Sequence, residues 1–375
     1  MTDKPAILVT GGAGYIGAHA CRALDAAGCQ PIVYDDLSTG HRSFVRGPLV
    51  IGNLLLDKAK LARVFSQHEI AAVMHFAAAS LVGESMSDPQ KYYINNVAGT
   101  LSLLEAMHSA GCRRIVFSST GAVYGNADSK ALPEDYPCAP INTYGATKWM
   151  IERMLADYRS AYGFGAFCLR YFNASGADAS GGIGELRDNE THLIPRAMMA
   201  LQGHLSDFAV FGDDYDTPDG TAIRDYIHVT DLAAAHVAAL KLLLQGHLPG
   251  FAVFGDDYET PDGTAIRDYI HVTDLAAAHV AALKLLLEGH AGGAFNLGTG
   301  TGYSVREILD AIADETGRAV PHVVKPRRPG DPAHLVADVS AARKVLDFAP
   351  AHSDLPTIIR TAWAWHQQAH PRKAA

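Results

Sequence analysis

The stretch Ala6-Ile7-Leu8-Val9-Thr10-Gly11-Gly12-Ala13-Gly14-Tyr15-Ile16-Gly17 decides how this chain folds. Its first five residues spell a short apolar strand, and Gly11, Gly14 and Gly17 then stand at GxxGxxG spacing before an apolar helix. Such glycines let the main chain bend tightly and come close to a pyrophosphate. The helix N-terminus stabilises that charge with free N–H groups and its dipole. By itself the string equally marks any tight strand–helix turn. What selects a dinucleotide is its context: a strand before it, a helix after it, and Asp35 closing the next strand about 18 residues beyond Gly17. A carboxylate there accepts hydrogen bonds from ribose hydroxyls and repels a 2′-phosphate, so NAD is expected rather than NADP. Asp36 beside it reads as a turn residue.

Outward from this turn, short apolar runs alternate with helical patterns, as a parallel sheet covered on both faces requires. Strands are expected at 6–10, 32–34, 49–51, 72–76, 115–118 and 166–171, and helices at 15–27, 58–67, 96–110 and 148–162. The expected class is α/β, a doubly wound parallel Rossmann sheet over 1–173. A smaller α/β substrate domain over 174–370 sends elements back to the sheet, and 371–375 is a tail. Within the second half, 208–247 recurs almost verbatim as 251–290, an offset of about 43 residues. Asp216 is matched by Glu259 and Gln245 by Glu288. Two copies inside an otherwise unrepeated chain make a tandem duplication and not a solenoid, which needs three or more units.

Composition narrows the function. A formal charge of -9 speaks against a general affinity for nucleic acid. No apolar run approaches the roughly 20 residues that cross a bilayer, and 1–4 leads straight into a strand, so a cytoplasmic address and no membrane are expected. The five cysteines, Cys21, Cys29, Cys112, Cys138 and Cys168, are scattered without CxxC spacing and suit reduced thiols. The histidines show no HExxH pair, and no metal is expected.

Chemistry gathers in Val116-Phe117-Ser118-Ser119-Thr120 and then in Tyr144-Gly145-Ala146-Thr147-Lys148. Tyr144 and Lys148 are four apart, so on a helix both face one way. A tyrosine acting as a base near pH 7 needs its pKa lowered by about three units, roughly 4 kcal/mol. One positive charge about 4 Å away contributes about that much at an effective dielectric of 20. Lys148 together with a nicotinamide cation would suffice. YxxxK alone is equally a helix-surface pair, and the hydroxyl cluster upstream weighs towards catalysis.

GGAGYIGAH, HFAAASLVGES, YYINNVAGT, FSSTGAVYG, TYGATK, LRYFNASGA, RDYIHVTDLA, FNLGTGTGYSV and RRPGD run in order across nearly the whole chain. This series resembles the UDP-glucose 4-epimerase family of extended short-chain dehydrogenases/reductases. The resemblance implies that Tyr144 takes the proton of the sugar 4-hydroxyl, that Lys148 tunes it and that Thr120 hydrogen-bonds the same oxygen. It implies cofactor contacts from Gly11, Gly14, Tyr15, Ile16 and Gly17 at the pyrophosphate, and from Asp35 and Asp36 at the ribose. Asn53, Leu54, Phe76, Ala77, Asn95, Ser118, Tyr144, Lys148 and Tyr171 complete that set. A UDP-sugar is implied to meet Asn173, His192, Leu193, the arginine of RDYIHV, Arg328 and Asp331. Forked arginine donors suit a diphosphate held by a net-acidic protein. A homodimer packed through 96–110 and 148–162 is also implied.

Three features depart from the family pattern. Ser80 stands where well-known members carry lysine, and Leu335 where some carry tyrosine, which would leave room for an N-acetyl group. The duplication offers two arginines, Arg224 and Arg267, for one phosphate site. Copy one has the natural upstream junction and copy two the natural downstream junction, and a hybrid favours Arg267. A 4,6-dehydratase needs an Asp-Glu pair after Thr120, where Gly121 and Ala122 stand instead. Epimerases of other UDP-sugars (N-acetylhexosamine, pentose, uronate) share every catalytic residue, and an impaired NAD-binding sensor or scaffold is the non-enzyme reading.

Overall fold

The computed structural model describes residues 4–125, 131–187, 190–205, 208–211, 219, 223–224, 226–229, 293–325, 336–346 and 353–369. Strand β1 (Ala6–Thr10) runs into helix α1 (Tyr15–Ala26), and the alternation continues through β2 (Gln30–Asp35), β3 (Leu49–Ile51), α2 (Lys58–His68) and β4 (Ala72–His75). Two short helices, α3 (Val82–Ser87) and α4 (Pro89–Tyr92), then lead through a π-helical turn (Tyr93–Ala98) into α5 (Gly99–Ser109). After these come β5 (Arg114–Ser118), α6 (Thr143–Tyr162), β6 (Gly165–Arg170), β7 (Asn173–Ser175) and α7 (Leu193–Gln202).

The later described elements are strands β8 (Ala209–Phe211), β9 (Ile223–Arg224), β10 (Tyr226–His228), β11 (Ala294–Asn296), β12 (Tyr303–Ser304) and β13 (Val323–Lys325). Among them lie helices α8 (Val305–Thr316), α9 (Ser340–Leu346) and α10 (Leu355–Ala369).

Seven strands make one parallel sheet in the order β11-β6-β5-β4-β1-β2-β3. The class is the expected doubly wound one, and the strand order reverses between β1 and β4, where such sheets open a ligand crevice at their carboxyl ends. Alternation along β1 shows why helices cover both faces. Ile7 and Val9 pack with Ala20 and Leu24 of α1 on one face, while Leu8 packs with Leu61, Leu103, Met107, Ile151 and Leu155 on the other. Each such side chain contributes about 1.5–3 kcal/mol when fully buried.

A second core joins α7, α8 and α10 through Ile194, Met198, Leu201, Ile308, Ile312, Ile358 and Ile359. Trp365 of α10 then reaches back to Phe44 and Ala18, and its indole N–H donates to the Glu185 carbonyl at 3.0 Å. The C-terminal helix therefore clamps the 176–187 segment against the start of α1.

The small strand pairs bear on the duplication. β8 pairs with β13, β9 with β12 and β10 with β7, and β8, β9 and β10 all belong to the first copy. Asp219 of that copy also accepts from Ser304, the residue that caps α8. Residues 251–290 and the tail at 371–375 lie outside the described residues.

The expected elements recur with shifted ends, and two shifts matter. Helix α6 starts at Thr143, five residues before the expected start, because the Asn142 side chain accepts the Gly145 N–H at 2.8 Å and caps it. The helix expected over 96–110 is preceded by the π turn, a feature frequent at functional sites.

Candidate active site

The glycine turn is tight for reasons internal to the protein. Gly11 adopts φ +72°, and a Cβ on it would lie 2.6 Å from the Ala77 nitrogen. A Cβ on Gly17 would lie 2.1 Å from the Gly11 carbonyl oxygen. These two residues bring β1, α1 and the end of β4 together, and Phe76 and Ala77 both donate their N–H groups to the Thr10 carbonyl. Gly14 differs: a Cβ there would meet only the Gly11 oxygen, at 3.3 Å. It heads α1 with no side-chain cap and no acidic residue in the first turn, so the N–H groups of Tyr15, Ile16 and Gly17 face an anion-ready end. An uncapped helix start with a bare glycine in front of it fits a pyrophosphate.

Asp35 ends β2 and is 8% exposed. Its carboxylate accepts from the Ala13 N–H at 2.9 Å and the Leu37 N–H at 2.8 Å. Burial raises its pKa and these two bonds oppose that. The lip of the glycine turn and the acidic residue are thus one unit. Asp36 is exposed and accepts from the Asn53 amide at 3.1 Å and the Ser38 N–H at 3.0 Å, so Asn53 and Leu54 border the same end.

Across the sheet, Thr120 opens a 3₁₀ turn (Gly121–Tyr124), where its hydroxyl accepts the Ala122 N–H at 3.1 Å. Helix α6 comes close to that turn because Gly145 has no side chain; a Cβ there would lie 2.5 Å from the Ala122 oxygen. This approach brings Tyr144, in the first turn of α6, into a side-chain hydrogen bond with Thr120. Lys148, 2% exposed, donates to the Ser118 carbonyl at 2.8 Å and lies 5.8 Å from the centre of the Tyr144 ring. The Ser118 and Tyr171 hydroxyls share a hydrogen bond beneath them.

The charges differ from the expectation of a lowered tyrosine. Burial pushes the Tyr144 hydroxyl up to about 12, with the Thr120 hydrogen bond and Arg187 pulling it down. Burial also pulls Lys148 down to about 7, against the upward influence of Glu152. A lysine near half charge at neutral pH is a weak counter-ion, so protein groups alone do not make Tyr144 a base.

Tyr15, at the start of α1, donates to the Gly176 carbonyl at 2.7 Å and lies within the electrostatic reach of Glu185, Arg187 and Glu190. In that segment Glu185 accepts from the Arg187 Nε at 3.0 Å and pairs with the His192 Nδ1 at 2.5 Å. Burial opposes ionisation of Glu185, yet His192 and Arg187 together hold its carboxyl below the usual range. His192 precedes α7, another helix start without a side-chain cap, and Leu193 begins it. Asn173 opens β7, and Arg224 stands on β9 opposite Tyr303. Arg267, Arg328, Asp331 and Leu335 lie outside the described residues.

Residues that escaped the sequence reading also border this site, Arg187 and Asn96 among them. The charge of Arg187 acts on both Tyr15 and Tyr144, and no local spacing announces it. Asn96, fully buried, accepts the Ala79 N–H at 2.8 Å and donates to the Ala79 carbonyl and the Thr147 hydroxyl, while the expected Asn95 is half-buried beside it. The Asn-Asn pair was the available signal, and only the π turn sorts which one faces inward.

A family model described as the NAD dependent epimerase/dehydratase family matches residues 7–249 and 243–298, the second stretch spanning the second copy. The chain belongs to this family. It is 45% identical to the UDP-glucose 4-epimerase of Rhizobium meliloti (strain 1021), covering 96% of this chain and 97% of that one. The UDP-glucose 4-epimerase of Halalkalibacterium halodurans is 41% identical, with 98% and 96% covered. Among solved structures, UDP-glucose 4-epimerase from Brucella ovis in complex with NAD matches with TM-score 0.82 at 46% identity, covering 96% of this chain and 98% of that one. Family membership accounts for the doubly wound sheet.

Proposed function

We propose that this chain interconverts UDP-glucose and UDP-galactose at C4 through a transient 4-keto sugar, with tightly bound NAD. The observation that carries the reading is the convergence of Thr120, Tyr144 and Lys148 at the carboxyl end of the sheet whose β1–α1 turn is an open anion site. Bound NAD would supply reversible hydride chemistry at C4 and a positive charge that favours the Tyr144 phenolate.

Gly11, Gly14, Tyr15, Ile16 and Gly17 would hold the pyrophosphate, Asp35 and Asp36 the ribose, with Asn53, Leu54, Phe76, Ala77, Asn95, Ser118 and Tyr171 lining the rest. Tyr144 takes the proton of the 4-hydroxyl and gives it back, and Thr120 orients that oxygen. Lys148 donates to the Ser118 carbonyl, holds its ammonium 5.8 Å from the centre of the Tyr144 ring and stabilises the phenolate once a sugar excludes water. Asn173, His192 and Leu193 meet the nucleotide. Arg328, Asp331 and the arginine of the native RDYIHV strand meet the diphosphate sugar. The pairing of β8, β9 and β10 into the fold supports Arg224 for that last role over Arg267.

The exposed apolar side chains Ile94, Leu101 and Met150, on the π turn, α5 and α6, support a homodimer through those helices. Sedimentation as a monomer at micromolar concentration would overturn it. No helix among the described residues is long and apolar enough to cross a membrane, and we place the enzyme in the cytoplasm.

The test is interconversion of UDP-galactose and UDP-glucose by the purified chain without added cofactor. Turnover that collapses in Tyr144→Phe is the expected result. No turnover with either sugar, alongside turnover of UDP-N-acetylglucosamine, a UDP-pentose or a UDP-uronate, would replace the substrate and keep the chemistry.

A further inference from the structure

Beneath the Ser118–Thr120 strand end lies a buried charged network that the proposed mechanism does not use. Arg170 is 2% exposed and Glu152 is 7% exposed. The Arg170 Nη2 donates to Glu152 Oε2 at 2.7 Å, and its Nε donates to both carboxylate oxygens at 3.1 and 3.3 Å. Glu152 Oε1 also accepts the Ser119 hydroxyl at 2.5 Å. The remaining Arg170 nitrogen, Nη1, donates to the Tyr124 hydroxyl and the Glu134 carbonyl, both at 2.9 Å. The Tyr124 hydroxyl in turn donates to Asn296 Oδ1 at 2.6 Å. One connected set of bonds therefore ties α6, the end of β5, the 3₁₀ turn, β6 and β11.

Burying two charges is an expensive way to pack a helix on a sheet, since apolar side chains of the same volume often do it as well or better. The placement gives the pair a purpose. Glu152 follows Lys148 by four residues and Tyr144 by eight, so all three share one face of α6. The hydroxyl that Glu152 holds belongs to Ser119, between Ser118, whose carbonyl holds Lys148, and Thr120, whose hydroxyl holds Tyr144. Glu152 grips both pieces of chain that carry the reactive groups.

We propose that Glu152, locked by Arg170, is a positioning residue that pins the Ser118–Thr120 strand end to α6, keeping Thr120, Tyr144 and Lys148 aligned for proton transfer. This rests on the epimerase reading for its kinetic test. Burial draws Lys148 down to about 7, and Glu152 is the charge that draws it back up. Of the other groups around this cluster, the Glu134 carboxyl, beside Asn296 and Arg170, is pushed up to about 7 by burial and changes state over the same range as Lys148, whereas the groups that follow hold one state between pH 6 and 9. His75 on β4 is held neutral at about 3 by burial, and Tyr171, Cys168 and Cys138 are pushed upward by burial. Arg170 stays charged, and the charge of Arg187 acts on Tyr144 from the 176–187 segment.

Glu152→Gln keeps the volume and an oxygen for Ser119 but strands the Arg170 charge. Glu152→Gln with Arg170→Met removes both charges and serves where the single variant does not fold. The double variant is expected to fold, retain NAD and lose about 10- to 100-fold in kcat with KM within about twofold. The acidic limb of its kcat–pH profile should move upward by about half a unit or more, because an uncharged Lys148 leaves the phenolate harder to form. A folded, NAD-loaded double variant with parental kcat and a superimposable profile would overturn the proposal. A parent that turns over no UDP-sugar would count against the functional reading alone. The brace is then read by tyrosinate difference absorbance with Tyr144→Phe as blank. An upward move of the Tyr144 titration in the double variant supports it, and an unmoved titration overturns it.

Discussion

At the β1–β2 end of the sheet the site is built from main chain, and at the β5–α6 end from side chains. The first end owes its shape to Gly11 and Gly17, whose missing Cβ atoms let three pieces of backbone touch, and to the open N–H groups of α1. The second owes its shape to a hydroxyl, a phenol and an ammonium held by a cap at Asn142 and a close approach at Gly145. Main chain tolerates few substitutions but makes few demands on pKa. Side chains set the chemistry and depend on the charges around them. A binding end and a reacting end should therefore fail in different ways when altered.

Tyr144→Phe should produce the largest separation. It removes the reacting group, so kcat should fall by about 10³-fold or more, while co-purified NAD and the melting temperature stay at parental values. Loss of NAD in this variant would erase the distinction between the two ends. Gly17→Ala should do the reverse. Its Cβ has no space beside the Gly11 carbonyl, so stability should drop by about 1–3 kcal/mol and the purified protein should carry little NAD, as read by denaturant melts and by assay of released cofactor.

His75 joins the two ends, and its effect should be intermediate. It lies between the Thr10 and Thr100 hydroxyls at 2.7 and 2.8 Å, and burial lowers it to about 3. Because its folded pKa lies below the unfolded value, its contribution is complete above about pH 6.5 and declines as the pH falls towards 3. Stability should drop by up to about 1.4 kcal/mol per pH unit in that window. His75→Gln, read by urea melts at several pH values, should flatten that slope.

Gly14→Ala is the mildest and the sharpest test. The new methyl meets only one oxygen, at 3.3 Å, in a backbone conformation that alanine also adopts. Melting should be nearly unchanged while NAD affinity falls about tenfold, roughly 1.4 kcal/mol. Equal losses of stability in Gly14→Ala and Gly17→Ala would show that both glycines serve the fold and neither the ligand.

The same contrast explains what could be read in advance. The glycine turn, Asp35 and the Tyr144–Lys148 pair are local in sequence, with spacings that a strand, a tight turn and one helical turn impose directly. Strands β1 and β3 fall on their expected residues for the same reason. Arg187, Asn96 and the Glu152–Arg170 pair were hidden, although Glu152 stands one turn beyond Lys148. Which charge on a helix is sealed inside depends on what packs over it, and here that is a strand 18 residues away together with a turn and the last strand of the sheet.

The sequence by itself determined the doubly wound sheet and the family and singled out Tyr144 as the proposed reacting group, because hydrophobic period and short spacings are properties of a chain read locally. Only the tertiary structure decided that first-copy strands pair into the fold, which asparagine turns inward and how far the tyrosine and lysine stand from their ordinary ionisation. Those outcomes depend on burial and on partners brought together across long separations, and desolvation acts only once the chain has closed around a group.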